Sequence, residues 1–150
     1  MATSLTTTLT LILQSTFKNV LDLTTTVDEF RLDLSDTLAS GTGLDQGDQA
    51  WHDTRTLAAT SETLDLAGSL TNAFGSTVTF ARVKGIVIHN KATTAAYNLT
   101  VGGATNPFLL LGGATHTDPI GPDGVRVYWE PCATGKAVTA ATGEDRKSVV

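Results

Sequence analysis

Thr77-Val78-Thr79-Phe80-Ala81-Arg82-Val83-Lys84-Gly85-Ile86-Val87-Ile88-His89 carries the strongest strand signal in the chain, and its reading decides the fold class. Val78 and Phe80 alternate with threonine, the period of a strand with one wet face. The alternation slips around Arg82-Val83-Lys84-Gly85, where a bulge or bend returns Ile86 and Ile88 to the apolar side. Outward from this stretch the pattern repeats. Thr63-Leu64-Asp65-Leu66, Tyr97-Asn98-Leu99-Thr100-Val101, Val125-Arg126-Val127-Tyr128-Trp129 and Lys136-Ala137-Val138-Thr139 read as short strands, and Pro107-Phe108-Leu109-Leu110-Leu111 as a short buried run. Gly102-Gly103, Gly112-Gly113 and the segment Asp118 to Gly124 read as turns between them. Leu70 to Phe74 reads as one helical turn closed by Gly75. Short strands so punctuated predict an all-β fold, a jelly-roll-like or Greek-key β-sandwich, over residues 51–150.

Residues 1–50 differ in character and read as an extended N-terminal arm that carries strands and makes an assembly contact. Thr8-Leu9-Thr10-Leu11-Ile12-Leu13 places Leu9, Leu11 and Leu13 on one face, and Phe30-Arg31-Leu32-Asp33-Leu34 repeats the alternation. Val20-Leu21-Asp22-Leu23 between them suits a strand or a short turn. Ala39 to Asp48 is a glycine-rich loop and the candidate boundary. An arm with alternate apolar side chains can add to a neighbour's sheet. The candidate partner-contact residues are therefore Leu9, Leu11, Leu13, Phe17, Phe30, Leu32 and Leu34.

Composition narrows the function classes. Threonine supplies about one residue in six, and the charged fraction of 17% lies below the roughly 25% usual in soluble domains. Scarce Lys, Glu and Gln argue against a helical bundle. The net charge of −5 argues against direct nucleic-acid binding, which needs a basic face. Arg82–Lys84 and Arg146–Lys147 are too small to supply one. The start of the chain carries no basic leader, and no stretch approaches a membrane span, so the expected setting is synthesis in a cytoplasm followed by assembly. Under that expectation the Asn98-Leu99-Thr100 sequon goes unused.

Candidate chemistry is thin. His52-Asp53 with Ser61 or Thr54 lacks a nucleophile elbow, and adjacent residues of a strand point to opposite faces. His52, His89 and His116 lack metal-ligand spacing, and Asp45 and Asp48 lack the calcium-loop pattern. The glycine pairs lack the Lys-Ser/Thr of a phosphate loop. Cys132 is the single cysteine and has no His or Asp close in sequence to activate it. No catalytic, cofactor-binding or metal residue is assigned, no cofactor is expected, and the expectation is a non-enzymatic protein. The aromatics Trp51, Tyr97, Tyr128 and Trp129 suit core or subunit contacts. Trp51, Tyr128 and Trp129 are also the candidate host-contact residues of an alternative reading.

Trp51-His52-Asp53-Thr54-Arg55-Thr56-Leu57-Ala58-Ala59, Leu64 to Leu70, Ala73 to Lys84 and Val101-Gly102-Gly103-Ala104 together resemble small β-rich virion structural proteins of tailed bacteriophages. The resemblance spans about Gly41 to Lys147. It implies a head decoration (cement) or head-fibre protein, a homotrimer that binds the major capsid protein shell or other virion proteins and resides in the virion. A tail or baseplate adaptor, or a receptor-binding module contacting host surface glycan, is the alternative. The resemblance also implies a further strand past the position of Val150, without which the last strand's edge would stand open or pair with a neighbouring subunit.

Overall fold

The threonine–leucine alternation at the start of the chain becomes one long antiparallel ribbon. The computed structural model describes residues 4–57, 61–68, 70–103, 108, 113, 115–138 and 144–149. Strand β1 (Thr7–Val20) runs out, turns through Leu21 to Thr24, and returns as β2 (Thr25–Ser40). Pairing is continuous from Thr7↔Leu38 to Val20↔Thr25, and the Leu21 N–H donates to the Thr24 carbonyl at 2.9 Å to close the turn. The arm is thus a hairpin whose strands pair with each other, with Leu21 to Thr24 as its tip. The loop expected over Ala39 to Asp48 is shorter, because β3 (Gln46–Gly47) lies parallel to Ala39 and Ser40 at the base of β2.

The rest of the described chain is a set of short strands. In order they are β4 (Ser61–Asp65), β5 (Leu70–Thr71), β6 (Thr77–Val78), β7 (Arg82–Val83), β8 (Gly85–His89), β9 (Leu99–Gly102), β10 (Thr117–Ile120), β11 (Val125–Trp129), β12 (Lys136–Ala137) and β13 (Glu144–Val149). Among the described residues the fold is all-β, with no helix. Beside the hairpin sheet stand a four-stranded sheet of order β10-β9-β13-β4 and three two-stranded sheets, β11-β8, β12-β7 and β5-β6.

Three expectations change. Leu70 to Phe74 is not a helical turn: the Asn72 side chain accepts from the Phe74 and Ser76 N–H groups at 3.0 Å each, folding a turn that pairs β5 with β6. Asparagine's short carbonyl competes with helical bonding in this way. The turn assigned to Asp118–Gly124 begins only at Gly121, since Asp118 and Pro119 belong to β10. Proline is tolerated there because β10 is the edge of its sheet. The edge of the last strand, expected to stand open or to pair with a neighbouring subunit, is paired within the chain, with β13 bonded to β4 on one side and β9 on the other. Leu109 to Leu111 and Gly112 lie outside the described residues, while Phe108 of the same apolar run is buried.

The strongest strand signal breaks into β6, β7 and β8, bending where the alternation slips. Val78 and Val83 are buried, and Ile86 and Ile88 return half-buried. Two apolar clusters result. Leu64, Leu70 and Val78 pack with Trp51, Leu66 and Phe80. Leu99, Val101 and Ile120 pack with Leu57 and Ile88. The buried Asn90 joins neighbouring loops by donating from Nδ2 to the Tyr97 and Ile120 carbonyls at 2.9 Å each. Gly102, with φ of +99°, permits the crossing to β10, since a Cβ there would stand 2.4 Å from the His116 carbonyl oxygen.

Candidate functional site

The hairpin's register sorts its side chains. Directly paired residues share a face, and odd positions of β1 pair with even positions of β2. One face therefore carries Leu9, Leu11, Leu13 and Phe17 beside Phe30, Leu32 and Leu34. These are the seven expected contact residues, and the structure brings all of them to one side of one ribbon. The opposite face is mostly polar: Thr8 and Thr37 meet at 3.0 Å, Arg31 donates to Gln14 at 3.1 Å, and Arg31 and Asp33 form an ion pair at 2.7 Å. Ile12, Val20 and Val27 are its apolar exceptions.

The leucine face is uncovered. Leu11, Leu13, Phe30, Leu32 and Leu34 are exposed, Phe17 is 72% exposed, and Leu23 at the tip reaches 99%. Scattered exposed leucines need no explanation, whereas a contiguous row marks an interaction surface. Among the described residues, no strand lies beside most of the outer edges of β1 and β2. A two-stranded hairpin alone in water is marginally stable.

Its base is anchored. Leu38 is buried, and the Asp45 N–H donates to the Pro131 carbonyl at 2.9 Å. The Lys84 ammonium donates to the Gly43 carbonyl. Trp129 donates from its indole N–H to Asp36 Oδ2 at 2.7 Å, and its ring lies so close over Gly85 that a Cβ there would stand 2.8 Å from it. Trp129 shares a face of the β8–β11 sheet with Val127, Val125 and Val87, all three exposed. Asp36 lies on the leucine face. The two apolar faces therefore meet at this hydrogen bond. Residue-by-residue reading of the sequence did not assign this valine patch; the glycine opposite Trp129 was its available signal.

Replacing Trp129 by Phe keeps an aromatic side chain, though a smaller one, and removes the donor to Asp36. The expected cost is about 1.5–3 kcal/mol, typical of a bond to a charged group. A chemical denaturation midpoint measures it, and an unchanged midpoint would mean the contact does not hold the hairpin base.

The aromatics of the alternative reading are already engaged. Trp51 lines a shallow groove of about 350 Å³ with His52, Asp53, Arg55 and Thr71, yet the Arg55 guanidinium sits 5.7 Å from the centroid of its ring. Arg55 is held there by ion pairs to Asp53 at 2.9 Å and to Glu62. Tyr128 donates its hydroxyl to Glu130. Trp129 is the junction just described. All three are half-buried and make contacts within the chain.

The titratable residues are dispersed. His52 is exposed, His89 contacts Asp123 at 3.1 Å, and His116 lies beside Gly113. Among the described residues no group of three or more His, Cys, Asp or Glu converges to hold a metal. Asp45 adopts a positive φ of 52° and Asp48 is exposed, in keeping with a loop. Cys132 Sγ lies 3.2 Å from both Glu130 and Thr134. Arg126 grips Asp118 at 2.6 Å, and that hydrogen bond, then the carboxylate's charge, raises the guanidinium pKa above its ordinary value. No described helix is long and apolar enough to cross a membrane. In comparisons with known proteins, no family model matches the chain, and no curated protein or solved structure matches it.

Proposed function

We propose that this chain is a non-enzymatic structural protein of a tailed-phage virion, a capsid decoration (cement) or head-fibre protein that attaches to the major capsid protein shell through its hairpin arm. The observation that carries the reading is the long ribbon with an uncovered leucine face, anchored at its base and open everywhere else. A symmetric shell multiplies a modest contact into large avidity, so each arm needs little binding energy of its own. The resemblance over Gly41 to Lys147 supplies the phage setting and the expectation of a homotrimer. A jelly-roll-like or Greek-key sandwich for residues 51–150 belongs to the same proposal. It draws support from β13, which returns from the far end of the chain to lie between β4 and β9.

The tail or baseplate reading ranks second, because Trp51, Tyr128 and Trp129 are occupied by their own neighbours. The deciding measurement is copy number per particle relative to the major capsid protein, by quantitative mass spectrometry. Hundreds of copies are expected. A few to a few dozen would move the protein to the tail or to a sparse fibre, and absence from the particle would overturn the virion reading.

A further inference from the structure

We infer that the leucine face of the hairpin is covered by the same face of a second copy of this chain, with the two hairpins parallel and their tips at one end. The inference rests on reading the hairpin as an assembly surface and names its partner. A sheet with one apolar face is stable in water when a second layer covers it. A foreign partner would have to present a flat leucine row along the whole ribbon. A second copy supplies one by symmetry.

The area suffices. The 14 paired positions of β1 span about 46 Å at ~3.3 Å per residue. A ribbon two strands wide, about 10 Å across with its side chains, then buries roughly 450 Å² per copy, or about 900 Å² per pair. The exposed Val87, Val125 and Val127, reached through the Trp129–Asp36 contact, extend this toward the roughly 1,200 Å² at which specific interfaces begin.

Charge selects the orientation. The only ionisable groups on the leucine face are Asp28 and Asp36, both on β2. If the hairpins packed antiparallel at near-full overlap, β2 would lie on β2 and Asp36 of one copy would meet Asp28 of the other. Like charges brought together in a drying interface repel and disfavour that packing. In the parallel arrangement, related by an axis along the ribbon, β1 of one copy lies over β2 of the next. Leu11 then meets Leu34, Leu13 meets Leu32, and the carboxylates meet Phe17 and Leu9. The same neighbours occur around a twofold or a threefold axis. Parallel packing also gathers the apolar tips, with Val20, Leu21 and Leu23, at one end of the bundle for the shell to receive.

The test uses the full chain without particles. Light scattering after size exclusion at micromolar concentration is expected to give a multiple of 15.7 kDa. The double variant Leu13→Glu/Leu32→Glu is expected to fall to the single-chain mass with its near-ultraviolet dichroism retained. Because that variant could lose its fold, a second measurement spin-labels Asp22→Cys in a Cys132→Ser background. Parallel hairpins place the labels within about 25 Å, whereas antiparallel ones separate them by about a hairpin length, ~45 Å. A single-chain mass for the unaltered protein, a double variant that stays multimeric, or a long tip-to-tip distance would each overturn the inference. Attachment is read separately: a single-chain protein that still binds shells sinks only this inference, and a multimer that ignores them sinks only the proposed function.

Discussion

Excising residues 12–33 and joining Leu11 to Leu34 through an Asn-Gly turn is expected to abolish attachment to shells while leaving the rest of the protein folded. Leu11 and Leu34 are direct partners, so a two-residue turn of the primed type closes the shortened ribbon without shifting its register. The excision removes Leu13, Phe17, Phe30 and Leu32 together with the tip, and keeps every group that ties the base down. Leu38 stays buried, Asp36 still accepts from Trp129, and Asp45 still donates to Pro131. Deleting residues 1–40 is the blunter variant. It would strip the buried Leu38 and the Trp129 acceptor, so lost attachment could be confused with lost structure. Co-sedimentation with particles that lack the protein measures the effect. A loss of more than about tenfold in apparent affinity, or about 1.4 kcal/mol, is the minimum expected, and avidity makes the observed loss steeper. Binding at the unaltered stoichiometry would remove the arm from the mechanism.

The second large effect is on stability. Ile120→Ala is expected to cost about 2–5 kcal/mol, the range for deleting a buried isoleucine whose neighbours only partly collapse. Ile120 is 1% exposed and packs in the cluster with Leu99 and Val101. Its carbonyl still accepts from Asn90 after the substitution, so the loss isolates side-chain packing. Against the 5–15 kcal/mol that holds an ordinary domain together, this is a large fraction. A denaturant midpoint that falls at constant slope confirms it. A shift under about 0.5 kcal/mol, typical of surface sites, would mean that this cluster is not the core of the β9–β10 region.

The two predictions separate two kinds of leucine and isoleucine that look alike in the sequence. Ile120 and Leu99 sit in short segments between turns and become core. Leu11, Leu13, Leu32 and Leu34 sit in longer alternating runs and are exposed in the single chain. Alternation reports that a residue shares a face with its second neighbour, not what lies opposite that face. Asn72 and Pro119 mark the limits of local reading. The first folds a turn where apolar spacing suggests a helix, and the second enters a strand because that strand lies at an edge.

Period-two alternation is a local steric property of the extended chain, so the β character of residues 8–13, 30–34, 85–89 and 125–129 was legible in the sequence. So was the alternation that sets Leu9, Leu11 and Leu13 on one side of their strand and Phe30, Leu32 and Leu34 on one side of theirs. Which side each row of leucines faces was not, because facing depends on register. Leu9, Leu11 and Leu13 are odd-numbered and Phe30, Leu32 and Leu34 are even-numbered. They share a face only because the turn at Leu21 to Thr24 pairs odd with even, and a slip of one residue would send the two rows to opposite sides. The Trp129–Asp36 contact and the place of β13 between β4 and β9 were likewise settled only by tertiary structure, because they join residues far apart in the chain. Local patterns decide which segments are strands, and long-range pairing decides which of their faces meet water.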